Sequence, residues 1–190
     1  MSVNKRTLSL VIACASVSVA AAADNYTIDP AHTYPSLEFS HMGLSIWRGK
    51  FNETSGKVVL DRAARTGSAE IAVDTASIDF GLDAIYEHAV TADWLDVEKF
   101  PTMTYRGVIK FEGDTPASVD GQLTLRGVSK PLKLKINSFK CIEHPILKKE
   151  VCGADVEGEM NRADFGMTKY AEGEAGKVRL RIQVEALKES

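Results

Sequence analysis

The sequence predicts an all-β fold, an antiparallel barrel or sandwich, on three observations. Apolar and polar residues alternate with a period of two through most of the chain after residue 23. Turn signals recur between the alternating runs: "EGDTP" at 112–116, "GVSKP" at 127–131 and "NRADFG" at 161–166. Helical spacing occurs in one stretch only, whereas parallel strands need a long crossover between each pair. Eight to ten short strands are expected.

Taken in order, the chain opens with "MSVNKR", a short basic start. The apolar, small-residue run "TLSLVIACASVSVAAAA" follows, and "DNYTIDP" then turns polar. With Ala21 and Ala23 as an Ala-x-Ala site, residues 1–23 read as a secretory signal peptide and 24–190 as a single domain. Two alternatives stay open: an uncleaved anchor, and acylation at Cys14, which would make a lipoprotein. The formal charge of the whole chain is −3; without Lys5 and Arg6 it is −5. A mildly acidic chain without basic clusters argues against nucleic acid as a partner.

The run "FSHMGLSIWRGKF" at 39–51 reads as a strand whose alternation is blurred, as in a strand covered on both faces. Gly43 and Gly49 would supply bulges that switch where its side chains point, and Gly56 reads as a turn. "SAEIAVDTASI" sets Ala69, Ile71 and Val73 against Glu70 and Asp74. In "FGLDAIYEHAVTADWLDVEKFPTMTY", Leu82, Ile85, Tyr86 and Ala89 fall at helical spacing, which predicts a short helix from about Leu82 to Ala92. "DWLDVEKFP" continues as a turn or loop. Together they form either a lid at the mouth of a barrel or a connection outside it.

Further on, "TYRGVIKFE" groups Tyr105, Ile109 and Phe111; "GQLTLRG" groups Leu123 and Leu125; "KPLKLKI" groups Leu132, Leu134 and Ile136. "CIEHPILKKEVC" holds Cys141 and Cys152. In an oxidising compartment two cysteines at this spacing would pair and staple a hairpin, contributing about 3 kcal/mol by loop closure. Free thiols or a redox pair are the rival readings, although the spacing is not Cys-x-x-Cys. "KVRLRIQVEAL" closes the chain, with Val178, Leu180, Ile182 and Val184 opposite Arg179, Arg181, Gln183 and Glu185.

Four blocks of the chain resemble the YceI-like, polyisoprenoid-binding family. The first runs through Asp29, His32, Phe39, Ser40, Gly43, Gly49, Phe51 and Asp61. The second has Ser77, Ile78, His88, Asp93, Asp96 and Pro101; the third Gly121, Leu123, Thr124, Gly127 and Pro131; the fourth Arg162, Phe165 and Gly166. The chain departs from the pattern at Tyr34 and Pro35, which suggests a late start to the first long strand, and in its cysteine hairpin.

The resemblance implies an eight-stranded, lipocalin-like antiparallel barrel around an apolar tunnel, with a periplasmic location and an isoprenoid tail inside. The helix and loop would then lie near the barrel mouth. Candidate lining residues are Phe39, His41, Met42, Leu44, Ile46 and Phe51 from the opening strand, and Ile71 from the next. Trp94, Leu95, Phe100 and Met103 come from the lid region, and Phe165 and Met167 from the fourth block. Methionines suit such a wall because their thioethers adapt to a sliding chain. Burying one five-carbon isoprene unit contributes at most roughly 3–4 kcal/mol, at about 0.8 kcal/mol per methylene.

The expected ligand is ubiquinone-like or a polyprenyl phosphate, and no cofactor or metal is expected: no His-x-His or His-x-x-x-His spacing occurs. Arg162 would suit a phosphate through paired hydrogen bonds. His88, Asp93 and Arg162 would form a polar network pinning the lid, or meet a head group. A membrane quinone-using protein is the expected partner, and an exposed end strand would allow a homodimer. The rival reading is a lipid-modifying enzyme, an isomerase or hydrolase, using His88 with Asp93.

Overall fold

The computed structural model describes residues 23–190. The segment read as a signal peptide, Cys14 included, lies outside the described residues. The strands are β1 (Asp24–Ile28), β2 (Tyr34–His41), β3 (Ser45–Phe51), β4 (Thr54–Asp61), β5 (Thr66–Asp74) and β6 (Ile78–Asp79). One helix, α1 (Asp83–Ala89), precedes β7 (Thr102–Glu112), β8 (Thr115–Leu125), β9 (Val128–Glu143), β10 (Glu150–Asn161) and β11 (Lys177–Lys188). The neighbours run β1-β4-β5-β7-β8-β9-β10-β11, and β11 pairs back with β1. The fold is therefore a closed antiparallel barrel of eight strands, and the sandwich is ruled out.

Eleven segments make eight barrel positions because three long strands are broken at one level. β11 pairs with β1 over Ala186–Lys188 and with β2 over Val178–Gln183, so β1 and β2 share one edge in sequence. Between them, Asp29–Thr33 leaves the ladder. The Thr33 hydroxyl stands in for it, donating to the Glu185 carbonyl and accepting from the Glu185 amide, each at 3.1 Å. The next long strand is β3 followed by β4, bent at Asn52–Glu53. The third is β5 followed by β6, interrupted by a 3-10 turn at Thr75–Ser77. A buried threonine stands at each break: Thr33, Thr54 and Thr75.

The opening run is a hairpin, not a single strand. β2 and β3 pair from Ser36 opposite Lys50 to His41 opposite Ser45, joined by a turn at Met42–Leu44. Gly43 therefore turns the chain, and Gly49 sits in a regular register without a bulge. Gly56 lies inside β4 and makes no turn. Tyr34 and Pro35 begin β2, and Pro35 lies opposite Ile182. The helix ends at Ala89, three residues short of the expected Ala92.

Alternation sets what each wall residue does. On β11, Val178, Leu180, Ile182, Val184 and Ala186 face the bore, while Arg179 and Arg181 form ion pairs with Glu159 and Glu157 on the outside of β10. Each strand can do this only in one register, because a slip by one residue would turn the charged row inward.

Candidate functional site

The interior is hollow. A cavity of about 780 Å³ runs through the barrel and is lined almost wholly by apolar side chains from every long strand. One end is sealed. There Tyr26, Leu60, Cys152 and Ala186 are all buried. The other end is open, for its wall includes Met42, 79% exposed, and Tyr170, 69% exposed.

The hollow persists because wall side chains lie along the wall. Gly121 faces inward on β8, and a Cβ there would meet the Arg106 carbonyl oxygen at 2.5 Å and the Tyr105 ring at 2.6 Å. Without one, the phenol crosses β8, and its hydroxyl donates toward the Leu132 carbonyl at 3.0 Å, with the Val119 carbonyl at 3.1 Å. Burial pushes the Tyr105 phenol far above its ordinary pKa of 10.0, so it stays neutral. At the mouth, the Phe80 ring covers Gly49 in the same way and meets Phe39 edge-on at 6.2 Å.

The sealed end is tied by charge. The Tyr26 hydroxyl donates to Glu150 Oε1 at 2.5 Å, and Arg62 donates to both oxygens of that carboxylate at 2.8 and 3.0 Å. Burial alone would raise the Glu150 carboxyl, but the hydrogen bonds from Tyr26 and Arg62 hold it below its ordinary value. Burial, reinforced by Glu150, pushes the Tyr26 phenol far up. Cys141 and Cys152 lie directly opposite on β9 and β10 and form a disulfide, with Cys152 on the cavity wall.

The open end is framed by three segments: the β2–β3 hairpin tip, α1 with the loop after it, and the loop after β10. Arg162 organises the last of these. Its guanidinium, buried within the 3-10 turn Arg162–Phe165, donates to the carbonyls of Met167 and Lys169 (both 2.8 Å), Tyr170 (2.6 Å) and Ala175 (3.3 Å). Its flat face lies 4.5 Å from the centre of the Trp94 ring. Burial lowers its pKa from 12.5, and a guanidinium in a protein keeps its charge.

The wall includes Phe39, His41, Met42, Phe51 and Ile71, then Trp94, Leu95 and Met103, then Arg162 and Met167. Four expected residues stand off it. Ile46 lies opposite Ser40, on the outward face of β3, and Leu44 is at the turn, 81% exposed. Phe100 packs over Gly127 and Arg126. Phe165 is buried within the core behind the wall. The expected His88–Asp93–Arg162 network also does not form. Asp93 pairs with Lys169 at 2.5 Å, while His88 and Arg162 each lie against the Trp94 ring. Nor is Arg162 free to grip a phosphate by a paired contact, because its donors already serve four carbonyls.

Sequence reasoning missed Trp47, which stacks on His41 at 4.0 Å and lines the mouth. Strict alternation counted from Phe39 would have found it, since Trp47 lies eight residues on, opposite Phe39 and on the same face. Tyr26, which forms the floor, was missed as well. Asp29, His32 and Glu185 bring possible metal-binding atoms within 4.8 Å of one another. The Asp29 carboxylate, however, is engaged by the Ala31 amide and His32 Nδ1, which shape the turn between β1 and β2. Among the described residues, no helix is long and apolar enough to cross a membrane.

The profile of the YceI-like domain matches residues 26–186. The chain belongs to the YceI-like family. A UPF0312 protein of Shewanella baltica is 32% identical over 140 residues, covering 71% of this chain and 73% of that one. Another, from Vibrio cholerae, is 34% identical over 134 residues, covering 67% and 71%. Among solved structures, Burkholderia cenocepacia BcnA superposes with a TM-score of 0.66 at 21% identity, over 83% of this chain and 98% of that one. A polyisoprenoid-binding domain from Saccharophagus degradans, implicated in plant cell wall breakdown, gives 0.60 at 13% identity, over 86% and 98%. At these identities the two superpositions speak to the fold alone. This YceI-like barrel thus shares its shape with a domain described as polyisoprenoid-binding.

Proposed function

We propose that this YceI-like protein is a non-enzymatic periplasmic carrier that holds the isoprenoid tail of a lipid in its bore, after export and removal of residues 1–23. The observation that carries this reading is the continuous apolar cavity of about 780 Å³, sealed at one end and open at the other. A water-sized group occupies about 30 Å³, so the space suits about 25 such groups, or roughly five isoprene units. The disulfide is compatible with an oxidising compartment.

A neutral, quinone-like head group fits the mouth better than a prenyl phosphate. Among the described residues, Arg162 is the one lysine or arginine on the wall, and four carbonyls already engage it; Glu172 on the same wall would repel an anion. Delivery to a membrane quinone-using protein belongs to this reading. The enzymatic alternative draws no support from His88 and Asp93, whose partners are Trp94 and Lys169.

Native mass spectrometry of protein purified without detergent tests the proposal. The wild type should carry a neutral lipid adduct. Gly121→Val should lose the adduct or shift it to a shorter tail, because the new side chain drives the Tyr105 ring into the bore. A wild-type protein with a clean apo mass, or a variant with an unchanged adduct, would overturn it.

A further inference from the structure

The open end carries exposed apolar side chains that the fold does not require. Met42 and Leu44, 79% and 81% exposed, occupy the turn between β2 and β3, where polar residues and glycine are the usual choices. Met42 also adopts φ 55°, a left-handed conformation that side chains other than glycine and asparagine take at a cost. Ile46 stands beside them on β3. Leu82 and Tyr86 are exposed at and on α1, and Tyr170 on the loop after β10. Three segments remote in sequence therefore present greasy groups to solvent around one opening.

These segments also build the cavity mouth. Met42, Ile85 and Tyr170 line the bore, so the exposed surface and the interior wall form one continuous apolar surface. Whatever covers the rim must therefore be compatible with a hydrocarbon passing through it. Charge narrows the choice. From Leu82 to Lys99 the chain carries Asp83, Glu87, Asp96 and Glu98 against Lys99, and Asp93 is balanced by its ion pair with Lys169. An anionic surface would be repelled there, and apolar contact must supply the attraction.

We propose that the rim docks on the zwitterionic surface of a lipid bilayer, so that the bore opens directly onto the membrane that supplies its ligand. Met42, Leu44 and Ile46 dip past the head groups, and Tyr86 and Tyr170 lie at the interface, where amphipathic aromatic rings are favoured. The proposal rests on the reading that the bore holds a lipid tail. It adds the source of that lipid and the face through which it enters.

The test uses residues 24–190, which carry every strand of the closed barrel, and flotation with vesicles of pure phosphatidylcholine. The wild type should float with the vesicles, insensitive to salt. A Met42→Ser, Leu44→Ser double variant should bind about tenfold or more weakly. Both positions are exposed, so the barrel should fold unchanged. The double variant Ile146→Ser, Leu147→Ser alters an exposed apolar turn at the sealed end and should float as the wild type does. Wild type that stays unbound, a hairpin variant that floats normally, or loss confined to the sealed-end variant would each overturn the proposal. So would a rim-mediated dimer in solution that the hairpin variant abolishes. The lipid adduct is weighed on the same samples. A wild type that carries lipid but ignores vesicles sinks the docking alone, and one that floats without lipid sinks the carrier reading.

Discussion

The two ends of the barrel are made from the same strands and solve opposite problems. At the sealed end, polar groups tie strands to one another: Tyr26 and Arg62 converge on Glu150, Asp24 pairs with Lys188 at 2.8 Å, and the disulfide joins β9 to β10. At the open end, Arg162 ties a loop to itself, Lys169 joins that loop to Asp93 on the loop after α1, and the apolar groups around them face either the bore or solvent. A barrel that must admit a guest cannot close both rims with strand-to-strand contacts. Polar bonds at the mouth therefore hold the loop's shape, and those at the floor hold the cylinder together.

Replacing Arg162 tests the mouth most severely. Arg162→Ala orphans carbonyls of Met167, Lys169, Tyr170 and Ala175 and removes the cation over Trp94. Urea unfolding should show a loss of roughly 3 kcal/mol. Protease cleavage should begin between Met167 and Gly176 while the strands resist. Cleavage spread evenly over the barrel would mean that the residue supports the whole cylinder.

At the floor, replacing Cys141 and Cys152 by serine should lower stability by about 3 kcal/mol, close to the loop-closure value for a ring of this size. Lipid retention should survive, because the pair lies at the end remote from entry. Loss of lipid at unchanged stability would show that the floor, too, shapes the site.

The smallest effect concerns pH. The Glu150 carboxyl titrates below its ordinary 4.5, so its stabilisation is complete above that value and disappears as pH falls through its lower folded-state value. Glu150→Gln should cost roughly 1–2 kcal/mol at neutral pH, and its deficit should vanish on acidification below pH 4.5. Thermal melts across pH 7 to 3 measure this convergence. Curves that stay parallel would remove the clasp from the account of the floor.

Much of the molecule was legible from local pattern. Strict alternation in "KVRLRIQVEAL" and "KPLKLKI" marked strands and their apolar faces, and those faces do line the bore. The helix was placed to within three residues, and the cysteine spacing pointed to the staple that formed. The failures have separate causes. Between Phe39 and Phe51 the expected lining moved from odd to even positions at Met42, whereas the hairpin register keeps Phe39, His41, Trp47 and Phe51 on one face. Ile46 was thus assigned inward while Trp47 was passed over. Arg162 was read through its charge as a phosphate ligand, yet its surroundings are backbone carbonyls supplied by residues 5 to 13 positions later in the same loop.

Taken alone, the order of residues determined which segments are extended, which face of each is greasy, and the family to which the chain belongs. All of these follow from a period of two and from motifs within a few dozen residues. The family resemblance implied a closed barrel, and only the tertiary structure decided which strands close it, that three strands break at one level, and that Tyr105 lies flat over Gly121 so that the centre stays empty. Closure joins β1 to β11, more than 150 residues apart in the chain, and a cavity is a property of side chains from eight positions around a ring. Neither can be written in the pattern of any single strand.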